Sequence, residues 1–123
     1  MGDPRHDLGL AAEEAVARWL SGAGWRVVER RARSSTGGEV DIIAIDPEGA
    51  LVALEVRARR TRRAGEPALT VDRRRVARLG RTLAAVASTG RHGHRAALRI
   101  DLVTVEPAGR AGRWRVIRVP GIG

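Results

Sequence analysis

The sequence predicts one α/β domain, residues 1–123, in which helices flank a central mixed β-sheet and the elements follow the order α-β-β-β-α-β-β. Three observations predict this fold class. Two segments carry apolar residues at helical spacing, and shorter segments between and after them are rich in valine, isoleucine and leucine, as strands are. The chain is also long enough to bury one core.

The first element is an amphipathic helix over residues 7–20. Asp7 is a candidate N-cap, and Gly22 or Gly24 is expected to end the helix. The apolar stripe that should face the core consists of Leu8, Ala12, Ala15, Val16, Trp19 and Leu20. Glu13 lies at the edge of this stripe. It is therefore either a boundary residue that reaches solvent or a carboxylate aimed inward at a site.

Three further strands and a second helix are predicted from β-propensity and helical periodicity. The strands cover residues 25–33, 97–105 and 114–119. The helix covers residues 71–88, with Thr70 as its cap. Its buried stripe is expected to consist of Val76, Leu79, Leu83 and Val86.

The most informative segment is a predicted hairpin of two strands, residues 38–44 and 51–57. Side chains alternate between the faces of a strand, so one face of the hairpin is wholly apolar: Val40, Ile42, Ala44, Val52, Leu54 and Val56. The loop Asp46–Ala50 joins the strands, and Gly49 within it can adopt a positive φ. If Asp46 faces Ala50 at the two ends of this loop, the register of the whole hairpin follows.

In that register Asp41 faces Glu55 and Glu39 faces Arg57, on the face opposite the apolar one. Facing side chains lie about 5 Å apart, and two carboxylates at that distance repel each other. The pair is tolerated if it is solvated, if one acid is protonated or if a cation lies between them. Carboxylate oxygens suit Mg²⁺ or Mn²⁺. The hairpin alone is therefore compatible with two interpretations: a charged, half-exposed end without a ligand, or a site for a divalent metal ion.

The chain is strongly basic, with a formal net charge of +9 and arginines crowded into residues 57–81. A predicted basic loop covers residues 59–66. Such a concentration favours a polyanion such as nucleic acid, through neutralisation of phosphates and release of counterions. A merely soluble basic surface is the alternative. Lysine is absent, so arginine stands wherever either residue would serve.

Targeting and membrane signals are absent from the sequence. Residues 1–8 are polar and charged, and no apolar run approaches the ~20 residues of a membrane span. The absence of cysteine excludes disulfides and thiolate chemistry. No helix pairs a basic face with bulky aromatic anchors. We therefore expect a cytoplasmic protein that does not bind membranes.

Taken together, these segments resemble one known family. The matching residues are Gly9, Glu13, Trp19-Leu20, Gly38-Glu39-Val40-Asp41-Ile42-Ile43-Ala44, Leu54-Glu55-Val56-Arg57-Ala58-Arg59, Val71, Arg75 and Arg99-Ile100-Asp101-Leu102-Val103. An acid on the first helix, an acid on the second strand and Glu-x-Lys/Arg on the third resemble the core of PD-(D/E)XK nucleases. More closely, the chain resembles the YraN / UPF0102 family, described as endonuclease-like and related in fold to archaeal Holliday-junction resolvases. A restriction-endonuclease-like core is implied.

The resemblance also implies roles for individual residues. Asp41 and Glu55 become the pair that binds Mg²⁺ or Mn²⁺, and Glu13 becomes the helix acid that completes the site. Arg57 stands where the nuclease motif usually has lysine, and Arg75 stands at the family's basic position in the second helix. Arginine stays protonated, so Arg57 can stabilise charge on a phosphate but cannot transfer a proton.

The implied function is metal-dependent cleavage of DNA phosphodiesters, with double-stranded, branched or structured DNA as the partner. The expected catalytic residues are Glu13, Asp41, Glu55 and Arg57. Contacts to the DNA backbone are expected from Arg59, Arg60, Arg62, Arg63, Arg73, Arg74, Arg75 and Arg78. One alternative is a non-catalytic nucleic-acid-binding module on a nuclease scaffold, since a fold does not determine a function. Another is a partner-binding protein whose acids neutralise its arginines. Whether the chain forms a homodimer stays open.

Overall fold

The computed structural model describes residues 4–59, 72–94, 97–109 and 112–123. The helices and strands are α1 Pro4–Gly22, β1 Arg26–Ala32, β2 Val40–Ile45, β3 Leu51–Ala58, α2 Arg73–Ser88, β4 Leu98–Pro107 and β5 Trp114–Val119. The predicted α/β class and the predicted order of elements are confirmed. The predicted basic loop lies outside the described residues, apart from its first residue, Arg59.

The five strands form one mixed sheet, in which the order in space is the order in the sequence. The β1–β2, β2–β3 and β4–β5 pairs are antiparallel, and the β3–β4 pair is parallel. A parallel pair needs a crossover connection, and α2 lies in the one between β3 and β4. Within β2 and β3 the partly exposed positions are Asp41 and residues 56–58. The accessible end of these strands is therefore the end away from their hairpin loop.

Two apolar clusters hold the helices on opposite faces of the sheet. The cluster under α1 includes Ala12, Val16, Leu20, Ile42, Ala44, Val52, Leu54, Val103 and Val105. The cluster under α2 includes Val40, Ile43, Ile45, Leu51, Ala53, Leu79, Leu83, Val86 and Ile100. From Ile42 to Ile45 and from Leu51 to Leu54, successive residues therefore alternate between the two clusters, as the pleat of a strand requires.

Val40 departs from the predicted apolar face of the hairpin. The sequence predicts it on the same face as Ile42, but Ile42 packs into the cluster under α1, whereas Val40 packs into the cluster under α2 and pairs with Ala32 of β1. The regular β2–β3 ladder begins only at Ile42. Strict alternation therefore does not extend to the first residue of β2.

The prediction for α1 is wrong about where the helix starts and about the burial of Trp19. The helix starts at Pro4, so Asp7 lies in its first turn, where a negative charge complements the helix dipole, and not at the N-cap. Trp19, predicted in the core, is 39% exposed and shares a surface groove with Trp114. The close approach to the sheet is made by the smaller residues of the stripe, Ala12, Val16 and Leu20, which are fully buried.

The prediction for α2 is correct in its buried stripe and wrong in its cap. The helix begins at Arg73, and its N-cap is Asp72, whose carboxylate accepts a hydrogen bond from the Arg74 N–H at 2.9 Å. The predicted cap Thr70 and first residue Val71 lie outside the described residues. The buried residues include the predicted Leu79, Leu83 and Val86. In the part of the chain that the structure describes, neither helix is long and apolar enough to cross a bilayer.

Candidate active site

The hairpin loop sets the register that the sequence predicts. The Asp46 N–H donates to the Ala50 carbonyl at 3.0 Å, and the Ala50 N–H donates to the Asp46 carboxylate at 2.9 Å. Gly49 has a φ of 95°, which a residue with a side chain rarely adopts. The ladder that starts from this loop ends with Ile42 opposite Leu54.

Asp41 and Glu55 come together one step beyond that ladder, at the accessible end of the strands. The Asp41 carboxylate accepts a hydrogen bond from the Val56 N–H at 2.8 Å, so its side chain reaches across to β3. Since Ile42 pairs with Leu54, Asp41 and Glu55 are neighbours across the two strands. The Glu55 side chain is only 8% exposed, and Asp41 is partly buried. The structure thus brings together the two acids that the sequence predicts as neighbours.

The surroundings of this acid pair raise the pKa of Asp41 from its ordinary value of 3.8 to about 7. Burial is the largest cause, because it disfavours the charged carboxylate. The Val56 N–H opposes burial by stabilising the anion. The charge of Glu55 and, to a smaller extent, the charge of Glu13 raise the pKa further. The acid pair therefore holds a proton near neutral pH, in a place that a cation would also favour.

Glu13, the third predicted acid, acts on Asp41 through its charge. Its side chain is 14% exposed, and its charge is the smallest of the causes that raise the pKa of Asp41. The Glu13 carboxylate lies 3.5 Å from the Nε of Arg31. Arg31 has a φ of 53°, which is uncommon for a residue with a side chain, in a strand whose pairing also contains a bulge. Glu13 therefore influences the acid pair through its charge, while its carboxylate contacts Arg31.

Arg75 brings a positive charge to the acid pair. It lies in the first turn of α2, and its Nη2 donates to Glu55 Oε1 at 2.9 Å while its Nε donates to Glu55 Oε2. This bidentate contact raises the pKa of Arg75 and neutralises Glu55. The sequence assigns Arg75 to the DNA contacts, and no local pattern indicates its pairing with an acid 20 positions earlier.

The other predicted arginines differ in exposure. Partly buried are Arg57, Arg59 and Arg78, and exposed are Arg73 and Arg74. Arg57 follows Glu55 by two residues on β3, so both lie on the same face of that strand. The exposed pair marks the start of α2, beside Arg75. Outside the described residues are Arg60, Arg62 and Arg63.

Glu39 has a different partner from the one that the sequence predicts. Its carboxylate is held by Arg33, at 2.6 Å from Nη2 and 3.1 Å from Nε. The sequence places Arg57 opposite it. Glu39 precedes the first residue of β2, so the hairpin ladder does not extend to it.

The acid pair offers part of a metal site. Two carboxylates on adjacent strands supply the hard oxygen ligands that Mg²⁺ and Mn²⁺ prefer, and their mutual repulsion favours a cation between them. Within the described ranges, no three Asp, Glu, His or Cys side chains are arranged to hold a metal ion. Arg75 engages both oxygens of Glu55. The donor set of Asp41 and Glu55 therefore fits a divalent cation only if Arg75 moves.

The loop of residues 34–38 positions the start of β2. The fully buried Thr82 hydroxyl of α2 donates to the Gly38 carbonyl at 2.6 Å. A Cβ on Gly37 would lie 2.7 Å from a backbone carbonyl oxygen of α2, so glycine is required there. This close packing fixes Asp41 relative to the helix that carries the arginines.

A second polar network, not indicated by local sequence patterns, surrounds the fully buried Asp101. Its carboxylate accepts hydrogen bonds from Arg99, at 2.8 and 3.1 Å, and from Arg118, at 2.8 Å. Arg99 also donates to Asp46 at 2.9 Å, and both guanidinium groups lie over the Trp25 ring. No buried side-chain nitrogen or oxygen of the described residues lacks a hydrogen-bond partner. The network is therefore explained by a structural role, which ties β4 and β5 to the hairpin loop.

The fold and the acid pair define a mixed α/β protein with a carboxylate site at one end of its sheet. A family model described as "Uncharacterised protein family UPF0102" matches residues 12–105. This range includes Asp41, Glu55, Glu13 and Arg75. A UPF0102 protein from Mycolicibacterium vanbaalenii is 42% identical over 120 residues, covering 98% of this chain and 93% of the relative.

Two further relatives support the same assignment. A UPF0102 protein from Beutenbergia cavernae is 40% identical over 94% of this chain and 95% of the relative. One from Symbiobacterium thermophilum is 40% identical over 88% of each chain. The chain therefore belongs to the UPF0102 family, which confirms the resemblance seen in the sequence.

Proposed function

We propose that this chain is a metal-dependent endonuclease that cleaves DNA phosphodiesters, with branched or structured DNA as the substrate class that the family resemblance suggests. The observation that carries the proposal is the Asp41–Glu55 pair at the accessible end of the sheet, where the pKa of Asp41 is raised to about 7. Two adjacent carboxylates cost free energy in the ligand-free protein, and a bound cation would offset that cost. The net charge of +9 supports a polyanionic substrate.

The proposal assigns a role to each predicted residue near the acid pair. Asp41 and Glu55 would hold Mg²⁺ or Mn²⁺, with Glu13 adding negative potential. A divalent cation bound there would polarise the scissile phosphate and lower the pKa of a water molecule. Arg57 would stabilise the negative charge that develops on the phosphate, because a guanidinium group is a cation. The exposed arginines at the start of α2 would contact backbone phosphates.

The decisive experiment is single-turnover cleavage of linear, nicked, flapped and four-way DNA with Mg²⁺ or Mn²⁺. We expect Asp41→Ala and Glu55→Ala to lose metal-dependent cleavage while they retain DNA affinity, because the carboxylates serve the metal and the arginines serve the backbone. Glu39→Ala, which removes a nearby acid that Arg33 holds, is the matched control. Cleavage by Asp41→Ala at the wild-type rate would place the active site elsewhere or reveal a contaminating nuclease.

Arg57 is tested in the same assay. Arg57→Ala should remove cleavage, because the charge beside the phosphate is lost. Arg57→Lys should retain or increase cleavage, since lysine supplies the same charge and can also transfer a proton. Equal activity of Arg57→Ala and the wild type would exclude a catalytic role for this residue.

DNA affinity should fall steeply as salt is added, because the expected contacts join arginine to phosphate. Replacing Arg73, Arg74 and Arg78 together by glutamine should weaken binding to all sequences alike. It should reduce the slope of log affinity against log salt by about 3, at roughly 0.9 for each lost contact. Arg18→Gln, on α1, is the control for loss of charge. If fluorescence anisotropy detects no DNA affinity at low salt, the basic surface does not bind DNA and serves only to keep the protein in solution.

A non-catalytic nucleic-acid-binding module is the second candidate. The observation that favours it is the bidentate contact of Arg75 with Glu55, which neutralises one acid without any metal. Such a module needs no cation at the acid pair. A wild-type protein that binds DNA but cleaves none of the four substrates would establish this candidate.

A further inference from the structure

Arg75 occupies the carboxylate that the proposed metal needs. Both Glu55 oxygens accept hydrogen bonds from its guanidinium, and one Asp41 oxygen accepts the Val56 N–H. Each carboxylate oxygen keeps a second lone pair, but a guanidinium at hydrogen-bond distance repels an incoming divalent cation. Glu55 therefore cannot serve Arg75 and a metal equally well at the same time.

Arg75 can leave this position, whereas Glu55 cannot. The Arg75 side chain is 38% exposed and extends from the first turn of α2, while the Glu55 side chain is 8% exposed on a central strand. A guanidinium group forms the same bidentate geometry with a phosphate as with a carboxylate. The exposed Arg73 and Arg74 lie at the same helix end, so a DNA backbone held by them would pass close to Arg75.

We infer that Arg75 competes with the divalent cation for Glu55, and that a DNA phosphate releases Glu55 by taking over Arg75. The inference rests on the proposed function. In the free protein Arg75 neutralises Glu55 and keeps metal affinity low. When a phosphate takes over the guanidinium, the acid pair regains its negative charge and metal affinity rises. Because coupling between two ligands is reciprocal, a metal on the pair also strengthens the contact between Arg75 and phosphate.

The first test is a calorimetric titration of the protein with Mn²⁺ in the absence of DNA. Releasing a bidentate, charge-assisted pair should strengthen Mn²⁺ binding by Arg75→Gln about tenfold relative to the wild type. Arg74→Gln removes the same charge one residue away and should change the affinity less than about twofold, since a solvent-exposed charge is screened. Glu55→Gln should bind Mn²⁺ far more weakly than either variant.

A second variant and a stability measurement guard against misfolding. Arg75→Lys keeps the charge but cannot bridge both oxygens of Glu55, so its Mn²⁺ affinity should fall between those of the wild type and Arg75→Gln. Arg75→Gln should also gain more thermal stability from Mn²⁺ than the wild type gains, because tighter binding to the native state raises the melting temperature.

The third test follows the Arg75 Nε–H signal in the NMR spectrum as a short duplex DNA is added in the presence of EDTA. We expect the signal to move when DNA binds, with a matching change at the Glu55 carboxyl carbon, although no metal is present. A bound duplex that leaves both signals unchanged would overturn the release of Glu55 by phosphate.

The outcomes separate this inference from the proposed function. If the wild type and Arg75→Gln bind Mn²⁺ equally well, or if Arg74→Gln strengthens binding as much as Arg75→Gln, the competition is wrong and the endonuclease proposal stands. If neither the wild type nor Arg75→Gln binds Mn²⁺ while both bind DNA, the metal site is wrong and both proposals fail together.

Discussion

Asp41→Asn tests the electrostatics of the acid pair through folding stability, without DNA or metal. In the native protein burial and the charge of Glu55 raise the pKa of Asp41 to about 7, whereas the unfolded chain has the ordinary value of 3.8. Asparagine has nearly the same shape, carries no charge and keeps an oxygen that can accept the Val56 N–H. It should therefore remove the penalty for ionising Asp41 and keep the local hydrogen bonding.

The sign and size of the effect follow from proton linkage. Between about pH 4 and pH 7 the native protein holds a proton that the unfolded chain has released, so the stability of the wild type falls as pH rises through this window. A pKa difference of about 3 corresponds to about 4 kcal/mol when the penalty is complete, above about pH 7. Partial exposure of Asp41 allows solvent to screen the charge, so we expect about 2 kcal/mol.

Urea unfolding in EDTA, measured at several values from pH 4 to pH 8, provides the assay. Asp41→Asn should equal the wild type near pH 4 and be more stable by about 2 kcal/mol at pH 8. Glu48→Gln, in the hairpin loop, removes an exposed acid and should leave the pH dependence unchanged. Parallel stability curves for Asp41→Asn and the wild type, or an asparagine variant that is less stable at pH 8, would refute the reasoning.

Two further predictions concern stability alone. Gly37→Ala should destabilise the fold by about 1–3 kcal/mol, because a Cβ there would lie 2.7 Å from the Arg78 carbonyl oxygen, whereas Gly38→Ala has its nearest contact at 3.6 Å and should cost less. Equal melting temperatures for the two variants would contradict this packing. Asp101→Asn should cost about 3–5 kcal/mol, because two guanidinium groups lose their buried counter-charge. Glu106→Gln should cost less, because its partner Arg115 is 60% exposed and solvent can take over its charge. An Asp101→Asn variant as stable as the wild type would show that the network is not needed for folding.

The sequence by itself determined the order of the elements and the facing of Asp41 and Glu55. These features depend on local rules: apolar periodicity selects helix or strand, and the hydrogen bonds of the Asp46–Ala50 loop set the register of the strands beside it. The same rules fail where regular pairing stops. Val40 and Glu39 lie before the regular ladder, so alternation predicts neither the packing of the first nor the partner of the second.

Only the tertiary structure decided which charges meet. Arg75 pairs with Glu55 and Glu13 with Arg31 because the packing of α2 and α1 on the two faces of the sheet brings their side chains within reach. The same packing leaves Trp19 on the surface, since smaller residues make the close approach of α1. Pairing between distant side chains depends on how helices are placed on a sheet, and neither periodicity nor turn chemistry carries that information.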